Sequence, residues 1–134
     1  MEDLGLKVQR ALKLIESLNV LNPDNLFHEA QVLKALEQDN IVRVEDTGTL
    51  KDGRVYVAME YLAKGSLEDE ASGSYVDLTR AKDILADVLR GLHYAHTHHI
   101  LHRDLKPVNI LIGPSRQGKL SDFRLAVPTG FSTK

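Results

Sequence analysis

His102-Arg103-Asp104-Leu105-Lys106-Pro107-Val108-Asn109 puts an acid, a cation and an amide on one short segment. The Lys follows the Asp by two residues and the Asn comes three further on. A carboxylate can orient or accept a hydroxyl proton. An ammonium can offset charge on a transferring phosphate. An amide carbonyl is a neutral oxygen donor suited to a hard divalent cation. Pro107 stiffens the chain between them.

The flanks give this segment its setting. Upstream, residues 78–97 carry apolar side chains at helical spacing. Ile84, Val88 and Ala95 mark one face and Leu85, Leu89, Leu92 and His96 a neighbouring one, so the pattern predicts a helix buried along much of its girth. Downstream, Val108 to Ile112 and Lys119 to Phe123 read as two short strands around the turn-rich Gly113-Pro114-Ser115-Arg116-Gln117-Gly118, a small hairpin. Towards the N-terminus, Ile41 to Val44 and Val55 to Met59 are β-rich runs separated by Leu50-Lys51-Asp52-Gly53-Arg54, whose Asp-Gly is a hairpin signal. Asn22-Pro23 starts a helix expected to run to about Leu36. Ser66 is a candidate cap for a further helix, and Ala71 to Ser74 reads as a surface loop. Residues 4–18 fit two patterns. Leu4, Val8, Ala11, Leu12, Ile15 and Leu18 recur at helical spacing, while Ala11, Lys13 and Ile15 also share one face of a strand. Periodicity leaves both open.

Bulk properties narrow the classes. The chain has 134 residues, 43% hydrophobic and 27% charged, with a net charge of -2. That is one domain's length, ordinary for a soluble globular protein, and gives no electrostatic reason to expect nucleic acid or an anionic membrane. There are no cysteines, which excludes disulfides and thiolate metal sites and fits a cytoplasmic protein. No apolar run approaches the ~20 residues of a membrane span. His93, His96, His98, His99 and His102 cluster in sequence, but no acidic residue is suitably interleaved for a metal site. His98 and His99 instead suit a helix C-terminus, where positive charge is favoured.

The eight residues from His102 resemble the catalytic loop of a Hanks-type serine/threonine protein kinase, whose base Asp and metal-binding Asn stand five positions apart. The resemblance makes Asp104 the catalytic base and Lys106 its charge-neutralising partner, and the pair Lys106-Pro107 points to the serine/threonine branch. It makes Asn109 and Asp122 the Mg2+ ligands. Asp122-Phe123-Arg124 stands where the family has Asp-Phe-Gly, and the departure at Arg124 bears on loop geometry, because only Gly lacks a Cβ. Ala11-Leu12-Lys13 is similar to the strand motif whose Lys holds ATP phosphates, and Glu29, sixteen residues on, to its helical partner. Glu60-Tyr61-Leu62 resembles the hinge that holds adenine, with Glu60 and Leu62 as contacts, and Gly65-Ser66-Leu67 the start of the next helix.

The implied fold is α+β and protein-kinase-like: a partial small sheet lobe with one helix, over about residues 1–60, then the first helix and catalytic-loop hairpin of the large lobe, over about 61–134. No Gly-x-Gly-x-x-Gly precedes Lys13; Gly5 alone is there. Only eleven residues follow Phe123. The expectation is thus a truncated or pseudokinase-like chain, without Gly-rich loop strands and most of the helical lobe. Its expected activity with ATP and Mg2+ is weak in isolation, and a protein partner or self-association is expected to cover an exposed apolar face. The alternative is a binding or regulatory module.

Overall fold

Within the ambiguous N-terminal segment residues 8–15 are a strand, because their edge finds a partner, while residues 4–7 and 16–18 lie outside the described residues. In the computed structural model, which describes residues 2–3, 8–15 and 23–123, β2 (Val8–Ile15) pairs antiparallel with β4 (Val55–Glu60), from Arg10 opposite Glu60 to Ile15 opposite Val55. The six ladder positions satisfy backbone groups of both strands, and this pairing decides between the two patterns. On the outer edge β1 (Glu2–Asp3) adds a two-residue pairing. On the other side β3 (Val44–Thr49) pairs with β4, giving the order β1-β2-β4-β3. The β3–β4 turn contains Gly53 at φ 91° and is tied by Arg54 N–H donating to Asp52 Oδ1 at 3.0 Å.

The chain falls into two compact units. The first holds β2, α1 (Pro23–Lys34), β3 and β4. Its core is Ala30, Val44, Val55 and Val57, with Leu33 and Met59 packed against them. α1 ends two residues before the expected Leu36: Ala35 and Leu36 N–H groups bond back three residues, to Val32 and Leu33 at 3.1 Å, in a tightened last turn.

The second unit holds residues 38–42 and everything described from 62 onward. The sequence expectation for Ile41–Val44 is corrected here. Val44 opens β3, but residues 40–42 run beside Leu120: Leu120 N–H donates to Asn40 O at 2.8 Å, and Val42 N–H to Leu120 O at 2.9 Å. One apolar run thus serves two partners, which β propensity alone does not distinguish.

α2 (Leu67–Ala71) starts at Ser66 with a reciprocal capping box: Ser66 Oγ accepts from Asp69 N–H at 3.1 Å, and Asp69 Oδ2 accepts from Ser66 N–H at 3.0 Å. α3 (Leu78–Thr97) matches the expected range and is capped by Asp77. It is not buried around its girth. Ile84, Val88, Gly91 and Ala95 form one buried stripe, whereas Leu78, Leu85 and Leu89 are 71%, 57% and 56% exposed. The buried stripe packs on β6, where Gly91 comes so close to the Asn40 carbonyl that a Cβ would lie 2.7 Å from it. At the other end His98 is the C-cap, its ring 4.3 Å from Tyr94 and its Nδ1 2.9 Å from Tyr94 O.

The hairpin is shorter than expected: β5 (Ile110–Ile112) pairs antiparallel with β6 (Gly118–Leu120). Residues 107–109 form a 3-10 turn instead of strand, because Pro107 fixes φ and cannot donate to a ladder. No helix among the described residues is long and apolar enough to cross a membrane.

Candidate active site

The loop from His102 is positioned by the hairpin that follows it. His102 is 3% exposed, and its ring lies 4.7 Å from that of buried Phe123. Its Nδ1 accepts from Asp104 N–H at 3.1 Å, so the ring proton sits on Nε2, which donates to Ser121 O at 2.6 Å. One side chain thereby fixes the start of the loop to the end of β6. The chain between is bent sharply: Arg103 has φ 70°, an unfavourable value for a residue with a Cβ.

Asn109 closes the loop. Its N–H donates to Lys106 O at 2.8 Å, and its Nδ2 donates to Asp104 O at 2.8 Å and Asp104 Oδ2 at 3.2 Å. Asn109 is 5% exposed, so these bonds hold a buried amide in one orientation. With Nδ2 committed to Asp104, Oδ1 is the atom the amide can offer a hard cation. Lys106 Nζ lies 3.8 Å from Asp104 Oδ2, half exposed. At that exposure the pair contributes at most about 1 kcal/mol, leaving the ammonium mobile.

Asp122 joins the same patch from the other loop. Ser121 N–H donates to Asn109 O at 2.9 Å; Ser121 Oγ lies 3.3 Å from Asn109 O and 3.4 Å from Asp122 Oδ2. Asp122 has φ 57°, a left-handed conformation that Asp tolerates better than most residues. Asp104, Lys106, Asn109 and Asp122 therefore belong to one hydrogen-bonded network in one compact unit. Ser121 is the member that sequence reading missed. A small polar residue next to an acid at a buried strand end was the available signal. Arg124 lies outside the described residues.

The other expected site residues sit as follows. Lys13 is on β2 opposite Val57, half-buried. Glu29 is on α1. Glu60 ends β4, its N–H donating to Arg43 O at 3.0 Å. Leu62 follows in a turn, its carbonyl accepting from Gly65 N–H at 3.2 Å. Among the described residues no group of three or more His, Asp or Glu side chains is arranged to hold a metal by itself.

Asp104, Lys106, Asn109 and Asp122 are thus gathered at a 3-10 turn and a strand end. The protein kinase domain family matches residues 6–132, and the chain belongs to that family. Its fold is similar to that in the crystal structure of Rad53 1-466 in complex with AMP-PNP, with a TM-score of 0.80 and 30% identity over 89% of this chain. The match covers 32% of that other chain, so the chain spans about a third of its solved relative.

Proposed function

We propose that the chain is a serine/threonine protein kinase-like protein whose loop site handles ATP and Mg2+, with weak transfer when alone. The supporting observation is the Asn109 amide, which is locked by Asp104 so that an oxygen remains for a cation. The donors fit the ion: Asn109 Oδ1 and the Asp122 carboxylate are hard oxygens, the type Mg2+ prefers. When bound, Mg2+ supplies charge neutralisation to the nucleotide phosphates.

The chain's own residues do the rest. Asp104 accepts or orients the proton of the attacking hydroxyl, its carboxylate steadied by Asn109 Nδ2. Lys106, close to Asp104 yet half exposed, is placed to meet charge on the transferred group. By family membership, Lys13 would hold nucleotide phosphates with Glu29 as its partner, and the backbones of Glu60 and Leu62 would hold adenine. The lack of cysteine supports a cytoplasmic location. The test is purified chain with radiolabelled ATP, Mg2+ and a generic protein substrate. We expect little transfer, reduced to background by Asp104→Asn, and a Mg2+-dependent rise in melting temperature with ATP. No shift at millimolar ATP rejects nucleotide binding.

A second reading, a pseudokinase-type module acting through a protein partner, is favoured by one feature. Among the described residues Leu78, Leu85 and Leu89 leave an exposed apolar stripe on α3, and such surface marks interfaces.

A further inference from the structure

We infer that Ser121 is a positioning residue for the metal-binding carboxylate, an inference that rests on the proposed Mg2+ site. Ser121 is 5% exposed and all three of its polar backbone and side-chain groups are engaged with the loop site. Its carbonyl accepts from His102 Nε2 at 2.6 Å and its N–H donates to Asn109 O at 2.9 Å. The hydroxyl has one proton and two acceptors, Asn109 O at 3.3 Å and Asp122 Oδ2 at 3.4 Å.

These two acceptors are not equivalent. Asn109 O already receives the Ser121 N–H, so it is satisfied without the hydroxyl. Asp122 Oδ2 carries charge, and a hydrogen bond to a carboxylate is roughly twice as strong as a neutral one. The carboxylate therefore gains more from the proton. The backbone of Asp122 is already set at φ 57°, which leaves only its side-chain torsions to be fixed. Holding Oδ2 restrains them. Because Ser121 grips Asn109 through the same oxygen it abuts, one residue sets the spacing of both proposed cation donors. Outer partners of this kind orient ligands, and their loss weakens metal binding about 10- to 100-fold in tight metal sites. A site with only two proposed protein donors should show the lower end of that effect.

The experiment is a Mg2+ titration of binding of a fluorescent ADP analogue, with no turnover required. Ser121→Ala should raise the Mg2+ midpoint roughly tenfold. Ser121→Thr, which keeps the hydroxyl, should restore the wild-type midpoint. Asp122→Asn should abolish the Mg2+ dependence. If Ser121→Ala does not fold, as judged by its melting curve, Ser121→Cys is read in its place, since a thiol is a weak donor of similar size. An unmoved midpoint in the Ala or Cys variant, with Asp122→Asn effective, overturns the role of Ser121. So does a Thr variant that shifts as far as Ala. If Asp122→Asn has no effect, the Mg2+ site itself is rejected, and the role of Ser121 with it.

Discussion

Asn109 does two jobs with one amide, and its mutants should separate them. Asn109→Ala removes two hydrogen bonds and leaves the Asp104 carboxylate without its amide donor. Stability should fall by about 1–3 kcal/mol, the range for breaking buried polar partners, read as a lower denaturant midpoint. Asp104→Asn keeps the shape and an oxygen facing Asn109 Nδ2. Its stability should stay within about 0.5 kcal/mol of the parent, while any phosphoryl transfer drops to background. Asp104 and Asn109 could be read from sequence because their contact is local, closed within one loop. Ser121 was missed: adjacent Asp122 hinted at a polar role, but its other partner, Asn109 O, lies twelve residues away across a hairpin. The same holds for His102, whose role depends on Ser121 O, nineteen residues on.

At the scale of elements, capping and close approach set the sensitive points. Ser66→Ala removes the reciprocal cap of α2 and should lower stability by about 1 kcal/mol. Gly91→Ala would gain about 1 kcal/mol of helix propensity. It also drives a Cβ to 2.7 Å from the Asn40 carbonyl and 3.0 Å from Leu120 Cδ1. Overpacking against backbone costs about 1–3 kcal/mol, so its melting temperature should fall. The start of α3 is fastened by Arg80, which donates through Nε and Nη2 to the two Glu70 oxygens at 2.8 Å. That pair holds the Glu70 carboxyl below its ordinary value, chiefly through the Arg80 hydrogen bonds. A depressed carboxyl stabilises the fold above its unfolded pKa and loses that contribution as pH falls through the folded one. Arg80→Ala should therefore cost about 1 kcal/mol at neutral pH and progressively less in acid, in paired urea titrations. Elements whose partners lie nearby, such as α3 and the β3–β4 turn, were legible. Ile41–Val42 was not, because its apolar run fits any strand and its actual neighbour is Leu120. β2 needed β4 to decide between helix and strand.

For the whole molecule, the stripe of Leu78, Leu85 and Leu89 is an exposed apolar surface open to association. Replacing Leu85 and Leu89 with Glu should leave the melting temperature nearly unchanged, since both are over half exposed. It should remove any self-association or partner capture seen by sedimentation velocity; persistence of the complex would place the interface elsewhere. The threading of residues 38–42 has a separate outcome. The chain leaves the first unit after Glu37, lends five residues to the second, and returns at Arg43 before leaving again after Tyr61. Melting the hairpin around Leu120 therefore strips the Asn40 and Val42 bonds, so the Val42 amide should exchange its hydrogen at the same rate as those of β6, which hydrogen exchange followed by NMR would read directly.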